Sequence, residues 1–585
     1  MKAFLKYVFA TFLGLFLFFL FFTGILILLI SRSVPEVDVK RNSVLVLRLD
    51  KRIIERETGD LLTQLSRSLK SGEPGTIGLL ELRQAIQAAA KSDKIKGIFL
   101  NVTNLDAGTA TLEELRSELL RFKKSGKFVV AYAEMYSELG YYLASVADKI
   151  YLPPSGILEF NGIHTELIFF KRLLDKLQIE PEVFKVGQYK SAVEPFIADG
   201  MSDANRRQIS TLLNSVYDHM LAEIGEARGI ASSRLHEIAD DMLVRNPEDA
   251  LSYGLITDIG YKDEAESFMK EQIGLSAEET VSYTDYWSML DLSDAYSGLD
   301  KDKVAVIYAV GDIQDGKGDD RTIGSETMMD ELKKAREDSS IKAIVLRINS
   351  PGGSALASDV IWREVALTRK VKPVIASMGD VAASGGYYIA AGCDSIVAEA
   401  TTITGSIGVF GVLFNGKDFL NDKLYISTDR EKTGKYADIG SFTRPLNNQE
   451  RVIIQKEVED VYTKFLTVVA EGRNMDTAYV NTIAQGRVWS GSDAETKKLV
   501  DKQAGLDTAV EIAAGMAGVE SYQLVHLPER PNLYLRQLFA ETQGKIAARM
   551  LEKEFGEWYP WIKAAKEVQK MNGVQARLPV DIQIK

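Results

Sequence analysis

Cysteine is almost absent: Cys393 is the only one in 585 residues. A disulfide framework within the chain is thereby excluded. The thiol sits in the small apolar run Ala390-Ala391-Gly392-Cys393 and reads as a buried hydrophobe. Histidine is scarce as well, with only His164, His219, His236 and His526. None lies in a glycine-rich or repeated motif, so a histidine-based triad has no motif behind it. Neither a metal nor a cofactor is called for. Excess positive charge is also lacking. Against 82 Asp and Glu stand 70 Lys and Arg, a formal net charge of −12, so nothing marks a nucleic-acid partner. What remains, 46% apolar and 26% charged residues, is the balance of a globular protein with ample core. The length exceeds one ordinary domain.

Charge is missing altogether from Tyr7 to Ile30, a run of 24 residues. As a helix it would span roughly 36 Å, enough for a bilayer core of about 30 Å. A cleaved signal peptide would have a shorter apolar region and a small-residue cleavage site. Here the run ends Leu28-Leu29-Ile30-Ser31-Arg32-Ser33. An uncleaved anchor over residues 1–31 is the expectation. Lys2 and Lys6 precede the run, which leans the N-terminus towards the cytoplasm and the folded body towards the far side. Arg32, Lys40 and Arg41 weaken that contrast.

The chain also repeats itself. Lys96-Gly-Ile-Phe-Leu returns as Lys342-Ala-Ile-Val-Leu, and Tyr141-Tyr142-Leu143-Ala144 as Tyr387-Tyr388-Ile389-Ala390, both 246 residues on. Asp175-Lys176-Leu177 and Gly187-x-Tyr189 match Asp422-Lys423-Leu424 and Gly434-x-Tyr436 at 247, and Ile238-Ala239 matches Ile483-Ala484 at 245. Five matches in order at one displacement mark a duplicated domain, not a short solenoid unit. Each copy alternates apolar strands with helical stretches, the pattern of α/β units with parallel pairing. The expected organisation is an anchor (1–31), a first repeat (43–275), a second repeat (301–520) and a C-terminal helical extension (521–585).

The differences between the copies carry the chemistry. After the strand Ala343–Ile348 the second copy has Asn349-Ser350-Pro351-Gly352-Gly353, where the first has Val102-Thr103-Asn104-Leu105-Asp106. A glycine pair after a strand can turn backbone N–H groups towards a developing oxyanion; an ordinary Pro-Gly turn is the plainer reading. Ser384, in Ala383-Ser384-Gly385-Gly386, corresponds to Glu138. A serine between small residues at a strand-to-helix junction suits an exposed nucleophile, or simply a helix N-cap. Lys190, in Gly187-Gln188-Tyr189-Lys190, corresponds to Ala437. Alone it would be a solvated surface lysine. Together, each copy keeps one half of a Ser/Lys pair. Lysine titrates at ~10.4 when free and must be desolvated to act as a base. The neighbours Val186, Ala192 and Val193 suit such a site.

At these residues the sequence resembles the signal peptide peptidase A (protease IV) family, in its long duplicated form. The resemblance rests on Asn349-Ser350-Pro351-Gly352-Gly353, Ala383-Ser384-Gly385-Gly386-Tyr387, Thr404-Gly405-Ser406-Ile407-Gly408 and the run Val186 to Phe196 around Lys190. It implies two crotonase-like domains related to the Clp protease subunit. It implies a Ser/Lys endopeptidase that degrades signal peptides left in the bacterial inner membrane, with its catalytic body periplasmic and its subunits in a homotetramer. It carries over Ser384 as nucleophile, Lys190 as general base, Ser406 as the hydroxyl that positions the lysine, and the N–H groups of Gly353 and Gly385 as the oxyanion hole. One departure is Lys498-Leu499-Val500-Asp501, where the family has a glycine first; the first copy keeps Gly254-Leu255-Ile256. Two other functions stay open on sequence alone: an acyl-CoA hydratase or isomerase on the same fold, and a non-enzymatic membrane scaffold.

Overall fold

Strands such as Lys303-Val-Ala-Val-Ile are apolar at nearly every position, which suits sheets covered on both faces by helices. A computed structural model describes residues 39–57, 75–103, 105–294, 301–319, 321–529 and 573–577, with positions 14, 18 and 21. It contains two parallel sheets with the same strand path. In the first half the order is Asp258–Ile259, Lys149–Leu152, Phe128–Tyr132, Ile95–Asn101, Ser43–Arg48, Ser282–Asp285. In the second it is Lys502–Gln503, Ser395–Ala398, β5 (Val374–Ala383), β3 (Ile341–Ser350), β2 (Lys303–Val310) and β9 (Gln523–Leu527). The strands starting at Ile95, Phe128 and Lys149 have counterparts starting at Ile341, Val374 and Ser395, each 246 residues on. The duplication read from five short matches is thus one of architecture.

The repeats extend further than the sequence placed them. Ser282–Asp285 lies past residue 275 yet pairs with the Ser43–Arg48 strand. Likewise β9 lies in the expected helical extension, but pairs in parallel with β2 from Lys303↔Gln523 to Ile307↔Leu527. Both strands complete an edge whose backbone groups would otherwise lack partners. The remainder of that extension, including the aromatic run Trp558, Tyr559 and Trp561, lies outside the described residues apart from β10 (Gly573–Arg577). So does the apolar run Tyr7–Ile30, save the three isolated positions; among the described residues no helix is long and apolar enough to cross a membrane.

Two further features join the halves. Past its pairing with β3, β5 pairs with β6 (Ile403–Gly405), which takes β8 (Val488–Ser490) antiparallel on its other side. A third sheet runs β1 (Glu180–Val186), β7 (Val409–Asn415), β10, β4 (Gly352–Ser354), Asp312–Gln314, Thr322–Gly324. It draws on both halves. The apolar core of the first half takes in Ala383, Ile403 and Val488 of the second, and Phe184 of the first half packs into the core of the second.

Candidate active site

The register of β5 against β6 pairs Val381 with Ile403, Ala382 with Thr404 and Ala383 with Gly405. The next residues are Ser384 and Ser406, so two parallel strands deliver the two serines side by side. The Ser384 N–H donates to the Gly405 carbonyl at 2.8 Å. Both serines have positive φ, 54° and 51°, uncommon for residues with a Cβ. Ser384 stands at the N-terminus of α3 (Gly385–Ala390), but its side chain caps nothing. The helix-cap reading therefore fails.

Lys190 arrives from the first half. The pairing of β1 with β7 ends at Val186↔Val409, and the chain turns at Gly187, φ 109°. A Cβ there would meet the Gln485 carbonyl at 2.5 Å. The Tyr189 N–H donates to that carbonyl at 2.9 Å. Gly486 lies against the lysine backbone with φ 77°, and a Cβ on it would fall 2.6 Å from the Lys190 Cβ. From the other side, α2 (Asp203–Arg228) holds the loop: Gln208 Nε2 donates to the Tyr189 carbonyl at 3.0 Å and to Ser191 Oγ at 2.9 Å. Ala192, Val193 and Phe196 pack on Phe410 and Val412 of β7.

The lysine side chain is completely buried. Its Nζ lies 2.9 Å from Ser384 Oγ, 3.1 Å from Ser406 Oγ and 3.1 Å from the Ser406 carbonyl oxygen. No carboxylate among the described residues pairs with it, and burial pushes its pKa well below the ordinary lysine value. Three oxygens lie within hydrogen-bond distance of the amine. Nζ donates to Ser384 Oγ and to both Ser406 oxygens.

The glycines bracket the serine. Gly352 and Gly353 have φ of 101° and 155°, and a Cβ on Gly353 would lie 2.1 Å from the Ile313 carbonyl oxygen. Ser350 fixes this turn, donating to the Gly311 carbonyl at 2.6 Å and accepting from the Gly352 N–H at 3.1 Å. Gly385 is the first residue of α3, where backbone N–H groups have no acceptor within the helix. A Cβ on Gly386 would lie 2.8 Å from the Ser350 carbonyl oxygen, so α3 and the glycine turn are in contact. Between β4 and β7 lies β10, antiparallel to both, with Gly353 opposite Ala576 and Phe410 opposite Gln575.

The counterparts of this pair form no second centre. Glu138 is buried and accepts from the Asn161 and Gly162 N–H groups and the Tyr217 hydroxyl. Ala437 lies in an exposed turn. Among the described residues no histidine bonds to Ser384 or Lys190; His219 faces Glu113, His236 faces Asp218 and His526 faces Tyr308. Cys393 is buried, with its thiol pKa pushed up by desolvation. Lys498 has φ 60°, matching the φ of 75° at Gly254, so the departed glycine position keeps its left-handed turn. The sequence reading missed Gln208, Gln485 and Gly486. Gly486 had a signal: it lies just past the repeat match Ile483-Ala484, where the first copy has Asp241.

Known proteins resemble this chain along both halves. The model of peptidase family S49 matches residues 121–276 and 366–520, the first stretch holding Lys190 and the second Ser384 and Ser406. Protease 4 of Haemophilus influenzae is 35% identical over 574 residues, covering 94% of this chain and 92% of that protein. Protease 4 of Salmonella typhi is 35% identical, covering 92% and 89%. The chloroplastic serine protease SPPA of Arabidopsis thaliana is 35% identical, covering 84% and 73%. With both halves matched and relatives aligned over most of its length, the chain belongs to peptidase family S49 and is a serine peptidase.

Proposed function

We propose that Ser384 is the nucleophile and Lys190 the general base of one site completed by both halves. The observation that carries this reading is the buried Lys190 amine, 2.9 Å from Ser384 Oγ and unpaired with any described carboxylate. In acylation the Ser384 Oγ–carbonyl carbon bond forms, the hydroxyl proton passes to Lys190 Nζ and then to the leaving amine, and the peptide C–N bond breaks. In deacylation Lys190 takes a proton from water, whose oxygen bonds to the ester carbonyl carbon; the carbon–Ser384 Oγ bond then breaks as Lys190 returns that proton to Ser384 Oγ. Ser406 holds the amine through its hydroxyl and carbonyl. The N–H groups of Gly353 and Gly385 receive the negative charge on the tetrahedral oxygen. Removing either Ser384 or Lys190 and measuring hydrolysis of an apolar peptide p-nitroanilide tests the assignment.

The substrate binds extended. The gap between β4 and β7 already admits a strand, β10, paired to both sides, and strand addition is a common way to hold a peptide. Each half has a crotonase-like fold, of the kind seen in Clp protease subunits. Apolar segments, signal peptides foremost, are the substrates; the motif resemblance around Lys190 and Ser384 and the apolar packing of Ala192, Val193 and Phe410 beside Lys190 support this. The uncharged run Tyr7–Ile30 supports a single-pass anchor in a bacterial inner membrane with the peptidase on the periplasmic side. The exposed side chains Leu424, Tyr425, Ile426 and Val452 support a homo-oligomer, read as a tetramer.

A further inference from the structure

β5 and β3 lose register just before the active serine. Ile348 pairs with Met378, but Ser350 pairs with Ala382. Asn349 alone therefore faces Gly379, Asp380 and Val381. Such a bulge re-aims the residues beyond it. Here those residues are Ala382-Ala383-Ser384 on one strand and Ser350-Pro351-Gly352-Gly353 on the other. The bulge needs something to fill it and to satisfy its backbone.

Asn349 does part of this. Its Oδ1 accepts from the Val381 N–H at 3.2 Å, and its Nδ2 donates to Glu55 Oε1 at 2.9 Å. Glu55 belongs to the first half. Its carboxylate is buried, and its oxygens also accept from Arg347 Nε at 2.9 Å and from a second Arg347 nitrogen at 3.1 Å. Arg347 is itself fully buried and reaches on to Ser377 Oγ and the Met378 carbonyl on β5. A carboxylate only accepts. Glu55, at 2.9 Å, with Asp380 Oδ2 more distant at 3.4 Å, therefore takes the amide NH₂ of Asn349 and leaves its oxygen facing Val381. Space is used up too: a Cβ on Gly379 would lie 2.4 Å from Glu55 Oε1 and 3.0 Å from Asn349 Cγ. A second tie runs the other way. Asp380, within the bulge, accepts from the Thr111 N–H and hydroxyl at 2.8 and 2.7 Å, at the start of α1 (Thr109–Lys123) in the first half.

We propose that Glu55 is a positioning residue for the peptidase reaction. It acts through Asn349 to set the bulge, and so fixes the spacing between Ser384 and the glycine turn. This rests on the reading of Ser384 as nucleophile. It extends the dependence between halves: the first supplies the lysine and also the carboxylate that shapes the serine's own strand. Glu55, Arg347 and Asn349 all lie outside the stretches matched by the family model.

The test uses the full chain and an apolar peptide p-nitroanilide. In Glu55→Gln, kcat falls about 100-fold with KM within about twofold, and labelling of Ser384 by a fluorophosphonate slows in proportion; a misplaced reacting group costs on this scale. Asn349→Ala shows a similar loss, and Glu55→Gln/Asn349→Ala is no slower than Asn349→Ala alone, because coupled groups are not additive. Gly379→Ala, which presses a methyl against the carboxylate with every charge kept, gives the same kcat loss in a folded protein. Unchanged kcat in folded Gly379→Ala, or independent losses that multiply in the double variant, would overturn the proposal. So would a Glu55→Gln protein whose only change is a lower unfolding temperature. Ser384→Ala separates the two claims. If it stays active the nucleophile reading fails, whereas an inactive Ser384→Ala beside a normal Glu55→Gln refutes only the positioning role.

Discussion

Lys190 Nζ and Ser384 Oγ lie 2.9 Å apart although 194 residues separate them in the chain. The contact joins the two copies of a duplicated domain. One copy contributes the amine and the other the hydroxyl, while the matching positions hold Ala437 and Glu138.

Substitution at either residue is expected to stop the reaction. Ser384→Ala and Lys190→Ala each lower kcat by about 10³-fold or more, since an activated nucleophile and its base act as a unit. Lys190→Arg fares no better, because a guanidinium keeps its proton at working pH. Steady-state hydrolysis, with circular dichroism to show intact folding, checks all three.

Burial of Lys190 also predicts how stability varies with pH. The folded pKa is depressed by desolvation, while the unfolded side chain titrates at ~10.4. Between those two values the unfolded chain binds one more proton than the folded one. Stability from this group therefore rises with pH across that window, by at most about 1.4 kcal/mol per pH unit. Lys190→Met removes this slope and raises the neutral-pH unfolding temperature. Thermal unfolding from about pH 6 to about pH 10 measures the difference.

The lysine's surroundings can be loosened without touching its amine. Gly486→Ala adds a methyl where a Cβ would lie 2.6 Å from the Lys190 Cβ, at a backbone φ of 77°. It is expected to lower kcat about 100-fold through displacement of the amine. Ser406→Ala leaves the backbone carbonyl as acceptor and costs less, about tenfold. The order of the two losses, read from kcat, is the check.

Ending the chain at Asn572 removes β10 from between β4 and β7. Short peptide substrates then have an open strand position, and KM for an apolar tetrapeptide p-nitroanilide is expected to fall severalfold. An unchanged KM would mean that peptides bind elsewhere.

Much of this was legible in the sequence because it was repeated. The 246-residue displacement survives in three core strands, whose apolar runs are under packing constraint in both halves. Ser384 and Lys190 stood out because Glu138 and Ala437 occupy the matching places. The closing strands were not legible. Ser282–Asp285 reads SYTD and Gln523–Leu527 reads QLVHL, and neither is a buried apolar run. They are edge strands, held by backbone pairing more than by side-chain pattern. Glu55 was hidden for another reason. A lone glutamate reads as surface charge, and only the docking of two domains buries it against Arg347. Gln485 and Gly486 act through backbone carbonyl and missing Cβ, which leave little trace in composition.

In the proposed mechanism a lysine from one half deprotonates a serine from the other. The rate at which a fluorophosphonate phosphonylates Ser384 with loss of fluoride, tracked by intact mass across pH in the native protein and in Lys190→Arg, tests this step. The native rate should rise with pH through one ionisation well below the ordinary lysine value, and Lys190→Arg should remain near zero throughout. A Lys190→Arg protein that is phosphonylated at the native rate, with the same pH profile, would show that Lys190 is not the base.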